Sequence, residues 1–101
     1  MRTPSQQKVR KSVALPDGSA VALIEPDALP DVDVPRNVYR LNADGEILWQ
    51  ISAHPAPTRP RTPFTNIYFD DQGRLMAFRF DCLEFVVDPV SGQAEFHDYL
   101  K

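Results

Sequence analysis

Apolar and polar residues alternate along this chain in short runs, and turn residues cut those runs at regular points. From Lys8 it reads Val-Arg-Lys-Ser-Val-Ala-Leu, then Pro16-Asp17-Gly18, then Ser-Ala-Val-Ala-Leu-Ile. Pro presets φ and Gly accepts positive φ, so the pattern predicts a hairpin with strands near Lys8–Leu15 and Ser19–Glu25. A second hairpin is predicted over Asn37–Ile51, where Asn42-Ala43-Asp44-Gly45 separates Val-Tyr-Arg-Leu from Glu-Ile-Leu-Trp-Gln-Ile. Period two places Ile47, Trp49 and Ile51 on one face and Leu48 and Gln50 on the other, with Trp49 expected in a core or an interface. The densest apolar stretch, Asn66–Asp88, reads as a three-strand meander over Asn66–Asp70, Arg74–Phe80 and Leu83–Asp88. Phe78, Phe80, Phe85, Val86 and Val87 are expected to pack there. A last strand over Gln93–Leu100 alternates loosely, with Ala94, Phe96 and Asp98 on one side and Glu95, His97 and Tyr99 on the other. No segment sustains a helical period. The expected fold is all-β: about eight antiparallel strands in consecutive hairpins, forming two small packed sheets or one bent sheet.

Two proline-rich connections interrupt the strands within a single all-β domain over 8–101. Residues 26–36 carry Pro26, Pro30 and Pro35 among acidic residues, a composition that forbids a central strand and opposes a helix. Residues 52–63 carry four prolines among small and polar residues, with Arg59 and Arg61 making the segment basic. A solvated, polyproline-like excursion fits that composition. Its length marks it for function or mobility. Residues 1–7 show no periodicity and read as a disordered tail.

A weak internal repeat aligns Tyr39-Arg40-Leu41-Asn42 with Ile67-Tyr68-Phe69-Asp70, each half of a strand–turn–strand unit. Leu41-Asn-Ala-Asp-Gly-Glu-Ile-Leu-Trp49 resembles the hairpins of quinoprotein-type β-propeller blades, and Val87-Asp-Pro-Val-Ser-Gly-Gln93 is similar to a turn those blades use. The resemblance implies blade-like sheets and nothing about cofactors or site residues. A closed propeller needs about four or more four-stranded blades. This chain of 101 residues has material for two.

Composition narrows the function classes. The apolar fraction of 43% and charged fraction of 25% are those of a soluble globular domain. A net charge of −3 and a pI near 5.2 argue against nucleic-acid binding, which usually shows a basic excess. Charge is unevenly spread: the first eleven residues are purely basic, and Ser12–Pro35 holds only acidic groups among its ionisable residues. Solvated surface is the ordinary meaning of such asymmetry. Cys82 stands alone, which excludes an intrachain disulfide and fits a reducing cytoplasm. No apolar run has the length of a membrane span, and no signal-peptide core follows the basic N-terminus.

Candidate chemistry is sparse. The chain holds no phosphate-binding glycine loop, nucleophile elbow, His-Glu-x-x-His or Cys-x-x-Cys, so no cofactor is called for. Cys82 with His97 is the one nucleophile–base pairing available to a small enzyme. Acidic neighbours Asp81 and Glu84 oppose thiolate formation, so a packed thiol is the stronger expectation. Glu95, His97 and Tyr99 could share one strand face as metal ligands, but a typical zinc site needs a fuller set. In the second connection, Arg59 and Arg61 precede Phe64 and Tyr68. Arginines with aromatic rings suit stacking on single-stranded nucleic acid. They suit protein recognition better on an acidic chain. An ordinary surface loop is the plain alternative. The expectation is a non-catalytic protein-interaction module with a protein partner or a second copy, using Arg59, Arg61, Phe64 and Tyr68. Nucleic-acid and membrane partners are disfavoured.

Overall fold

Four hairpin turns built on one plan shape the chain. In each, the amide of the fourth residue donates to the carbonyl of the first: Gly18 to Leu15 at 3.2 Å, Gly45 to Asn42 at 2.9 Å, Gly73 to Asp70 at 3.0 Å and Cys82 to Arg79 at 2.9 Å. The fourth residue sits at positive φ, between 70° and 90°, where a side chain is disfavoured. Three turns place glycine there, and the fourth places Cys82. Carboxylate and amide oxygens complete the turns. Asn42 Oδ1 accepts from the amides of Asp44 and Glu46, and Asp70 Oδ1 accepts from those of Gln72 and Arg74. These are the residues that the internal repeat aligns.

The computed structural model describes residues 8–56 and 59–99. The tail expected over residues 1–7 and the end of the last expected strand lie outside them. The strands are β1 (Val9–Ala14), β2 (Ala20–Ile24), β3 (Val38–Leu41), β4 (Ile47–Gln50), β5 (Phe64–Phe69), β6 (Leu75–Arg79), β7 (Leu83–Val87) and β8 (Ala94–Tyr99). They form two four-stranded antiparallel meanders, β1-β2-β3-β4 and β5-β6-β7-β8. The first connection departs from expectation. It winds into 3-10 helices at Pro26–Ala28 and Asp31–Arg36. Pro26 opens the first of these, where its missing N–H costs nothing.

The two sheets pack face to face. Val21 and Leu23 of β2, Val38 of β3, Trp49 of β4 and the following Ile51 meet Phe64, Ile67, Leu75, Ala77, Phe85 and Val87 in one core. Polar ties lock the packing. Asn37, fully buried, donates to the carbonyls of Ile24 and Phe64 and accepts from the Phe64 amide, all within 3.0 Å. It bonds β5 as a strand neighbour would. Trp49 Nε1 and Arg40 both donate to the Pro89 carbonyl, at 2.8 and 2.7 Å. Gly92 lies so close to the Trp49 ring that a Cβ there would sit 2.6 Å from it.

Three stretches differ from the sequence expectation. The register shift between β3 and β4 makes Leu48 the extra residue, so Ile47 turns to the outer cluster while Trp49 and Ile51 face the core. Phe80 does not pack: it occupies the β6–β7 turn and is 64% exposed. A second register shift, between β7 and β8, reverses the expected faces at the end of the last strand.

Candidate functional site

The outer face of the first sheet is covered. Ala22, Ile24, Tyr39 and Leu41 are buried there, with Leu29 of the first connection packed on them. Gln50 Nε2 reaches Asp33 Oδ1, the Arg36 carbonyl and the Tyr39 hydroxyl, fastening the 3-10 segment down. Burial pushes the Tyr39 phenol up to about 12, with the Asp33 carboxylate adding to it. A groove of about 160 Å³ lined by Val9, Ala22 and Leu41 remains beside this cover.

On the outer face of the second sheet Met76 is buried and Tyr68, Phe78, Glu84 and Val86 are half-buried, so exposure concentrates at the edge strand β8. Register fixes what β8 presents. Ala94 pairs with Val87, Glu95 with Val86 and Phe96 with Phe85, then Asp98 with Glu84 and Tyr99 with Leu83, leaving His97 as a bulge. Phe96 and Tyr99 therefore share the core-side face with Phe85 and Leu83, while Glu95 and Asp98 share the outer face with Glu84. Phe96 meets Phe85 edge to face at 6.4 Å, yet remains 60% exposed, and Tyr99 is 55% exposed. The aromatic core thus runs out beyond the reach of the first sheet. At its start β8 is held by the last residues of the first sheet: Ser52 donates to the Gly92 carbonyl and accepts from Ala94. Past Ala94 no strand among the described residues pairs with the outer edge of β8.

Across the outer face, cross-strand register builds two rows. Tyr68, Met76, Val86 and Glu95 form one, and Asn66, Phe78, Glu84 and Asp98 form the other. Each row grades from apolar or uncharged at β5 to acidic at β8. Glu84 is largely covered, with His97 Nε2 3.9 Å away.

The residues singled out from sequence are scattered. Phe64 is 1% exposed and packs edge to face on Phe85 at 5.7 Å, so it is a core ring rather than a surface one. Tyr68 lies on the outer face of the second sheet, half-buried. Arg59 and Arg61 are exposed in the second connection, and Arg61 pairs with Asp31 at 3.1 Å. The aromatic partners expected beside the two arginines point elsewhere. Cys82 is partly exposed in its turn, and no hydrogen bond joins it to His97 among the described residues. The shared face proposed for Glu95, His97 and Tyr99 does not form, because the bulge separates Tyr99 from Glu95. Among the described residues no group of three or more His, Cys, Asp or Glu is placed to hold a metal ion.

Sequence reasoning missed two elements of this geometry. Arg79 is buried, stacked 4.7 Å over Phe85, paired with Asp81 and donating to the His54 carbonyl. It fastens the second connection to the second sheet. The aromatic face of β8 was also hidden. Phe96 and Tyr99 stand three residues apart, a spacing that shares a strand face only across a bulge.

Among the described residues no helix is long and apolar enough to cross a membrane. Compared with curated proteins and with solved structures, the chain matches none. A family model described as a domain of unknown function, DUF7957, matches residues 5–99. The chain belongs to that family.

Proposed function

We propose that this chain is a non-catalytic protein-interaction module and that its working surface is β8. One observation carries the reading. All five residues from Glu95 to Tyr99 are exposed, two of them are aromatic, and no strand among the described residues pairs with the edge beside them. Open edges are the places where proteins accept another strand, and exposed aromatic rings at the end of a core are where binding energy concentrates. Arg59 and Arg61 stand apart from this surface in their contacts. Arg61 is already engaged with Asp31, which weakens the support for a loop-centred or nucleic-acid site.

Site-specific photo-crosslinking tests the proposal. A benzophenone amino acid at position 96 should give a discrete protein adduct in cells expressing the chain. The same group at exposed Leu48, on the first sheet, should not. An absence of adducts from position 96, or one identical set from both positions, would contradict the reading.

A further inference from the structure

Resting on the reading of β8 as the working surface, we propose that the partner docks as an extended basic segment. It adds to the free edge of β8 as a fifth strand, with apolar side chains alternating with Lys or Arg. The two faces of β8 dictate that alternation. On the core-side face an incoming strand lies beside Phe96 and Tyr99, which are more than half exposed where the first sheet no longer covers them. On the outer face it lies beside Glu95 and Asp98, with Glu84 behind them across the ladder. Side chains of a strand point alternately to the two faces, so one face of the partner must be apolar and the other cationic.

Charge also selects against the simplest competitor, a second copy paired through β8. Two copies of β8 placed edge to edge in one continuous sheet would bring Glu95 and Asp98 onto a face with their own duplicates. Like charges on neighbouring strands destabilise the pairing, and opposite charges stabilise it. Arg79 pairs with Asp81 on the core side, and His97 Nε2 lies 3.9 Å from Glu84 on the outer face. A basic strand meets no such repulsion. Its main-chain groups supply affinity, and the alternating pockets supply selectivity.

Titration of isotopically labelled full-length chain with a capped eight-residue peptide of alternating lysine and valine tests this by amide chemical shifts. Shift changes should concentrate on Glu95–Tyr99 and on the facing β7 residues. Affinity should fall at least tenfold in the double variant Glu95→Lys/Asp98→Lys. It should also fall at least tenfold when the peptide is N-methylated along one edge, a change that leaves the protein untouched. A glutamate–valine peptide should not bind. Four outcomes would overturn the proposal: shifts centred on another surface, no binding, equal binding of the N-methylated peptide, or a β8-mediated dimer of the chain alone. A discrete photo-adduct at position 96 together with any of these would leave the module standing and remove the basic strand. Loss of both would remove the module as well.

Discussion

Cys82 and Gly92 show how much single positions decide in this fold. Cys82 holds φ at 70° in a turn position that glycine fills at residues 18, 45 and 73. The left-handed conformation costs an L-residue about 1–2 kcal/mol, partly offset in glycine by its greater freedom when unfolded. Cys82→Gly should therefore raise stability by about 0.5–1 kcal/mol, read from urea unfolding at constant m. A loss of stability would mean that the thiol contributes packing that outweighs the strain. Gly92 carries a different burden, because the Trp49 ring stands against it. Gly92→Ala should cost about 2–4 kcal/mol, combining backbone strain with overpacking. Gly18→Ala, with nothing within 4 Å of the added methyl, should cost only the backbone part. Equal costs for the two would refute the Trp49 contact. Tyr39 makes stability fall at alkaline pH. Its folded value near 12 lies above the ordinary 10, so its contribution is complete below pH 10 and is lost as pH rises toward 12. Tyr39→Phe should flatten the stability decline across that window in denaturant titrations.

At the scale of elements, the hairpins were legible and their couplings were not. Pro16-Asp17-Gly18, Asp44-Gly45 and Gln72-Gly73 announce turns because positive φ demands particular residues, and all eight strands fall within two residues of the expected starts and ends where these are described. Bulges leave no such mark. Leu48 and His97 are ordinary strand residues in sequence, yet each shifts the register and sends its neighbours to the opposite face. The candidate site suffered most from this, since the shared face of Phe96 and Tyr99 exists only because of the bulge. Long-range polar ties were equally silent. Asn37 looks like a turn residue but serves as a latch between sheets, satisfying one donor and two acceptors of the main chain. Asn37→Ala should cost about 3–5 kcal/mol by orphaning these buried groups. It should also loosen β5 more than β7 in hydrogen exchange. A cost below about 1 kcal/mol would show that the sheets hold together without it.

The whole molecule is asymmetric in how its sheets are closed. The first is partly covered on its outer face by the 3-10 segment, and it shares its inner face with the second. The second sheet ends at β8, whose aromatic side and acidic side both meet solvent. That contrast supports the proposal that β8 is the working surface, and native-state amide hydrogen exchange measures it directly. In the dilute free chain, amides of β2, β3 and β6 should exchange slowest. Those on the outer edge of β8 beyond Ala94 should exchange at least a hundredfold faster, which corresponds to about 2.7 kcal/mol of local opening. Protection along that edge equal to β2 would show that β8 is already covered, contradicting the account.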